Sequence, residues 1–281
     1  MAISYPYTGP RETSYLFIDA GCLRSTVRNI AERFTDDRDG LRIVHPVLGG
    51  SYNKVFYYDA LRERLDGETD DAYNQRNADR IAALDKLRQL NGWHVYEGVV
   101  KRGKGEHRRS KQKKVDVMIA VDMLMHSFRR NMHRATLLAS DLDFEPLLNA
   151  LVQEGMTTTL WYPPDETNPD LAAAADNREE LNFRSLAHAL ALVDGTPFWP
   201  GEPGSLPSDM TERQEITTGD TRLIVGRSAT SGHVVSWHRL LADGTGTMGT
   251  WTHRNEGVMR RLLQGVHGIE MPDQDTRGPF A

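Results

Sequence analysis

Cysteine is nearly absent from this chain: Cys22 stands alone among 281 residues. That excludes an intramolecular disulfide and a cysteine-based zinc cluster, and the expected setting is a reducing, cytoplasmic one. Long apolar runs are also missing. None approaches the ~20 residues that a membrane-spanning helix needs, so no membrane partner is expected. Residues 1–11 carry no basic stretch leading into an apolar core and do not read as a secretory signal. Lysine stops at Lys114, and every later cation is Arg or His. We read that as a bias of composition and attach no function to it.

What is present supports a packed protein. Hydrophobic residues make up 39% and charged residues 26%, enough apolar side chains for a core and too many for wholesale disorder. The formal net charge of −5 argues against a generic nucleic-acid coat, but the average hides an asymmetry. Residues 101–114 read KRGKGEHRRSKQKK, with eight Lys/Arg and one Glu, a local charge of +7. The remainder is −5 − 7 = −12, so an acidic body carries one concentrated basic segment.

Apolar runs at 15–18, 54–58, 93–100, 135–140 and 157–162 read as buried strands. Between them lie helical stretches: about 25–34, NADRIAALDKLRQL with Gly92 beyond its end, VDVMIAVDMLMHSF and DFEPLLNALVQEG. Val117, Val121, Leu124 and Phe128 share one face of the third. Residues 36–50 read as loop, and 176–193 as a last helix. Strands apolar on both faces, alternating with helices, imply an α/β domain with a parallel sheet covered on both sides. It is expected to span 1–194, followed by a Gly/Pro-rich linker at 195–209. Residues 210–281 are expected to form a small β-rich (α+β) domain, with short strands separated by SG and DGTG turns and a helix at EGVMRRLLQGV. Its Trp237, His238, Trp251, His253 and Arg254 suit either a contact surface or, for the tryptophans, a small core.

The acids carry the chemistry. In an open parallel sheet, ligands sit at the carboxyl ends of the strands where the strand order reverses. Asp19 follows one strand directly, Asp141 and Asp143 follow another, and Asp116 begins the helix leading into that second strand. If the first and fourth strands flank the reversal, these four carboxylates converge, and either their pKa values rise or a cation sits among them. Oxygen ligands suit Mg²⁺ or Mn²⁺. Asp141 or Asp143 alone reads equally well as a helix N-cap; four acids at matching positions do not. Asp122 lies six residues from Asp116, about 120° round the helix. Glu145 reads as an exposed first-turn acid, and Cys22 as a small buried filler. The cations Lys101, Arg102, Lys104, Arg108, Arg109, Lys111, Lys113 and Lys114 adjoin Asp116 in the chain and can hold a nucleic-acid backbone without reading its sequence.

The segments LFIDAGCL, KKVDVMIAVDML and LLASDLDFEPLL, in this order, resemble the NYN domain family, and most of all its bacterial LabA-like branch within the PIN-like nuclease superfamily. The resemblance covers about residues 14–193. It implies a PIN-like three-layer fold and metal-dependent cleavage of RNA. By matching position it implies Asp19, Asp116, Asp141 and Asp143 as ligands of Mg²⁺ or Mn²⁺, and Asp122 as a further catalytic acid. Cys22 stands where many members carry Asn, and Leu142 follows Asp141 where a polar residue is usual; neither change removes a ligand. The leading expectation is therefore a metal-dependent endoribonuclease acting on RNA, with single-stranded DNA as a substrate left open. The alternative is a non-cleaving RNA- or nucleotide-binding module that acts through its C-terminal domain. A phosphotransferase using Asp19 as nucleophile ranks third, because residues 19–21 lack the second acid common to such enzymes. Homo-oligomerisation stays open.

Overall fold

The structure, a computed structural model, describes residues 12–62, 65, 67–99, 113–240 and 245–271. The chain runs β1 (Ser14–Asp19), α1 (Ala20–Thr35), β2 (Leu41–Ile43), α2 (His45–Leu48), β3 (Lys54–Leu61), α3 (Asp70–Arg88) and β4 (Trp93–Val99). It continues with α4 (Lys113–Phe128), β5 (Arg134–Leu138), α5 (Glu145–Gln153), β6 (Thr157–Tyr162), α6 (Pro169–Ala173), β7 (Asn177–Glu180) and β8 (Leu190–Leu192). Then come β9 (Met210–Thr218), β10 (Thr221–Ser228), β11 (Gly232–Leu240), β12 (Gly246–His253) and α7 (Glu256–His267). The described residues of Met1–Val27 and Val44–Ala189 form one compact unit, and those of Arg28–Ile43 and Leu190–Ala281 a second. This division departs from the expected one in two places. The boundary falls at Ala189 rather than at 194, and a stretch of the N-terminal region, Arg28–Ile43, is grouped with the C-terminal part.

The first unit is built on a parallel sheet in the order β4-β3-β1-β5-β6-β7. From β1 the chain steps outward through β3 to β4; from β5 it steps outward the other way through β6 to β7. The order therefore reverses between β1 and β5, which meets the condition set for the four acids to converge. Side chains alternate across a strand, so Tyr15 and Phe17 share one face with Phe56, Tyr58 and Leu137. That face is buried under Val115, Ile119 and Met123 of α4 and Leu148 and Leu151 of α5. Each such fully buried side chain contributes about 1.5–3 kcal/mol of transfer free energy, which fixes α4 over β1 and β3. Among the described residues no helix is long and apolar enough to cross a membrane.

Three expectations fail here, each for a physical reason. The α4 face marked by Val117, Val121 and Phe128 is not the buried one: these side chains are 61%, 52% and 60% exposed. The helix is apolar nearly all round, so its periodicity does not select a face, and packing on the sheet buries Val115, Ile119 and Met123 instead. Residues 176–193 are not a helix. Asp176 accepts hydrogen bonds from the Thr158 amide (2.8 Å) and hydroxyl (3.0 Å), which docks the chain beside β6 and lets Asn177–Glu180 pair with it as a sixth strand. Within the expected loop 36–50, Leu41–Ile43 finds a partner in Leu190–Leu192, a long-range pairing with no local signal.

The second unit holds the antiparallel sheet β12-β11-β10-β9. Helix α7 is capped by Asn255, whose side chain accepts from the Val258 amide at 3.0 Å, and ends at Gly268 with φ 64°. Trp237 and Trp251 are each 2% exposed and meet edge to face at 5.1 Å, so both tryptophans fill a small core. His253 is buried as well: its Nδ1 accepts from the Asn255 amide at 2.9 Å and its Nε2 donates to the Pro197 carbonyl at 3.0 Å. Residues 195–209 contain no helix or longer strand, yet they are not a free tether. Phe198 is fully buried, and the Gly204 amide donates to the Thr250 carbonyl at 2.9 Å.

Candidate active site at the sheet switch point

Asp19 is the last residue of β1 and belongs to the face that α4 covers. Its Oδ1 accepts from the Gly21 amide at 2.7 Å, at the start of α1. Burial raises its pKa; amide hydrogen bonds from Gly21 and Cys22 and the charge of Arg24 pull it back, while Asp59 pushes it up. Asp116 lies in the first turn of α4. That turn comes close to β4 because residue 98 is glycine: a Cβ there would stand 2.5 Å from Val115 Cγ2.

The pKa of Asp116 is raised to about 6, first by burial and then by the charges of Asp19, Asp141 and Asp143. Carboxylates from β1, from α4 and from the segment after β5 thus act on one another. Asp141 is also a cap. Its Oδ1 accepts from the Asp143 amide at 3.0 Å and starts the 3-10 turn Leu142–Phe144. The capping role and the charge-cluster role therefore coexist in one side chain. Buried Phe144 anchors that turn beneath the two exposed acids.

The structure does not bring every candidate to this group. Asp122 accepts a 2.7 Å hydrogen bond from the Tyr58 hydroxyl. Burial, and then this bond, push the Tyr58 pKa upward, and Tyr96 stacks on the same ring at 5.0 Å. The Asp122 carboxylate therefore ties α4 to β3. Glu145 accepts from Asn149 at 2.6 Å, one turn along its own helix. Cys22 is a buried filler as expected; its thiol, beside Ser140, Asp19 and Glu166, is pushed up to about 12, chiefly by burial. The cations Lys101, Arg102, Lys104, Arg108, Arg109 and Lys111 lie outside the described residues, as do the side chains of Lys113 and Lys114.

Four neighbours escape the sequence reading. Arg24 of α1 and Arg80 of α3 form an ion cluster around buried Asp59 near the end of β3, and Glu166, after β6, receives long hydrogen bonds of 3.4 and 3.5 Å from Ser25. Asp59 carries the same signal as Asp19, an acid directly after an apolar run, here KVFYY. Nothing in the spacing marks the two arginines.

The donor set of Asp19, Asp116, Asp141 and Asp143 is all carboxylate oxygen, which suits a hard divalent cation. Among the described residues, however, no three His, Cys, Asp or Glu side chains are grouped tightly enough to hold a metal as they stand. The chemistry of the donors fits; the shell is not closed.

A six-stranded parallel sheet with helices on its faces and acids collected at its switch point defines a PIN-like α/β domain. The sequence pattern of the NYN domain matches residues 16–182, well over half of the chain, and the protein belongs to that family. Its first unit therefore has a nuclease-like fold, of a kind whose members typically use divalent metals and act on nucleic acid. Among solved structures, a protein of unknown function from Vibrio parahaemolyticus is 15% identical, with 61% of this chain and 93% of that one covered and a TM-score of 0.40. No curated protein matches the chain.

Proposed function

We propose that the first unit is a metal-dependent endoribonuclease that hydrolyses RNA phosphodiester bonds. One observation carries this reading: Asp116 feels the charges of Asp19, Asp141 and Asp143, although the four come from three separate elements. A binding module has no need to gather four like charges at the switch point. Asp19, Asp116, Asp141 and Asp143 would hold Mg²⁺ or Mn²⁺, which when bound activates water and offsets charge on the phosphodiester.

The chain supplies the rest. The Gly21 amide fixes the Asp19 carboxylate, and the Asp143 amide fixes that of Asp141. Asp116 keeps its proton up to a pH of about 6 while no counter-charge is near. Its carboxylate must ionise to hold a cation, so metal and proton compete there and metal binding weakens as pH falls. Lys101, Arg102, Lys104, Arg108, Arg109, Lys111, Lys113 and Lys114 are tethered to Asp116 by the chain itself and would hold the RNA backbone. Neutralising Lys111, Lys113 and Lys114 should lower the log–log salt slope of binding by about 0.7 for each lost single-strand phosphate contact.

The test is direct. Labelled RNA and single-stranded DNA are incubated with the protein in Mn²⁺, Mg²⁺ or EDTA, and the cut ends are mapped. RNA should be cut in either metal and left intact in EDTA. Asp19→Asn and Asp141→Asn should each lower the rate at least ~100-fold, the order for losing a positioned charge-stabilising group. Normal cleavage by both variants rejects the site, and binding without cleavage in either metal makes the unit a binder.

A further inference from the structure

Four acids provide for a cation but repel a polyanion. The same edge of the sheet carries a cluster of opposite sign. Tyr58 is the register partner of Asp19 across β1 and β3, and Asp59 is the next residue along β3. Its side chain is 3% exposed. Asp59 Oδ2 accepts from Arg24 Nη1 at 2.8 Å and from Arg80 Nε at 3.0 Å. Arg80 Nη2 closes a second bond to Oδ1, which also accepts from the Ala60 amide at 2.7 Å.

Two features set this apart from a structural ion pair. One guanidinium would neutralise Asp59, and there are two, so these three groups by themselves sum to +1, beside the Asp19 carboxylate that Arg24 also faces. Both arginines also keep a wet side, with side chains 31% and 30% exposed. A guanidinium presents five N–H donors in a planar fork that matches phosphate oxygens; Asp59 takes one from Arg24 and two from Arg80, and the Tyr57 hydroxyl takes a further one from Arg24. The carboxylate thus locks the pose of both groups without consuming their capacity to bind an anion.

We propose that Arg24 and Arg80 form an anion subsite for an RNA phosphate adjacent to the one at the aspartates, with Asp59 as the positioning residue that aims both guanidiniums. This rests on the nuclease reading. The neighbouring phosphate is the group that a cation one strand over from Asp19 would meet. The preorganised pair spares the ordering of long, free side chains that a flexible lysine contact requires.

The experiment compares the full chain with Arg24→Gln, Arg80→Gln and Arg24→Lys, using a labelled single-stranded RNA of about ten nucleotides. Binding is measured in EDTA across a salt series, and cleavage in Mn²⁺. Each Arg→Gln change should weaken binding about tenfold, the scale of one charge-assisted contact, and lower the log–log salt slope by about 0.7. KM should rise while kcat stays within about twofold, since the group acts on binding rather than on the bond that breaks. Arg24→Lys should restore the slope but not the full affinity, because the charge returns without the fork. A lowered melting temperature with unchanged Kd, slope and KM overturns the proposal and leaves a structural ion pair. A fall in kcat with KM unchanged also overturns it. If Arg80→Gln does not fold, Arg24→Gln, which leaves Arg80 on Asp59, decides alone.

The two readings separate cleanly. A wild-type protein that binds but never cuts, with slopes that fall in the variants, keeps the subsite and rejects the nuclease. A wild-type protein that cuts, with variants indistinguishable from it, rejects the subsite alone. One that neither binds nor cuts rejects both.

Discussion

Asp116→Asn should abolish cleavage and yet stabilise the first unit. The substitution keeps the size of the side chain and removes a charge that burial, Asp19, Asp141 and Asp143 all disfavour. The distance from the ordinary 3.8 to about 6, at 1.36 kcal/mol per pH unit, sets a ceiling of about 3 kcal/mol. The carboxylate is only half-buried, and solvent screening brings the expectation to about 1 kcal/mol. The sign follows from proton linkage. Folded Asp116 holds its proton more tightly than unfolded Asp116, so the folded state binds the extra proton between pH ~4 and ~6. Wild-type stability therefore falls as pH rises through that window, and the full penalty is present at neutral pH. The variant should gain about 1 kcal/mol at pH 7 and nothing near pH 4, with a flatter profile between. Asp19, also raised, leaves some slope behind. Urea melts followed by circular dichroism at pH 4 to 7 in EDTA measure the effect. Added Mg²⁺ should then stabilise the wild type more than the variant. A variant less stable than the wild type at pH 7, with the same pH profile, would show that Asp116 does not stand among like charges.

Three further outcomes test the framework of the site. Gly98→Ala places a methyl 2.5 Å from Val115 Cγ2; it should cost about 1–3 kcal/mol by overpacking and lower cleavage by shifting the first turn of α4, read from thermal melts and initial rates. On α4 itself, Ile119→Ala should cost about 2–5 kcal/mol, whereas Val121→Ser, at an exposed position, should stay within about 0.5 kcal/mol; equal losses would mean that the helix face is misassigned. Trp251→Ala should cost the second unit about 3–5 kcal/mol while cleavage of a short unstructured RNA persists, and loss of that activity would make the second unit part of the active site.

The acids were the most legible part of this chain. Asp19, Asp141 and Asp143 each end or follow an apolar run, and strand-end position is a property of the local sequence. Helix α4 shows the limit. Its existence was plain from composition, but a helix apolar on most sides does not declare which face is inward, and the sheet decided. Asp122 matched a family position although it lies about 120° round the helix from Asp116, and a buried phenol from β3 claimed its carboxylate. Arg24 and Arg80 are separated by 56 residues in the chain and meet because α1 and α3 both reach Asp59. β7 consists of four exposed polar residues, and its only reason to be a strand is the open edge of β6. Pairing of this kind is written in the partner, not in the segment itself.

The pairing of β2 with β8 sets a clock on the making of this protein. Leu41 meets Leu192 across that ladder, and about 150 residues must be synthesised between them, which at ~5–20 residues per second takes on the order of 8–30 s. β1 precedes that interval and the parallel strands β3 to β7 fall within it, so the first unit has its whole sheet available while Arg28–Ile43 still waits for a partner. Phe34, whose ring meets that of Phe198 at 5.4 Å, and Leu41, opposite Leu192, lack these partners for that time. A nascent-chain chaperone that grips short apolar segments would find its window there, and slow translation ahead of residue 190 would lengthen it.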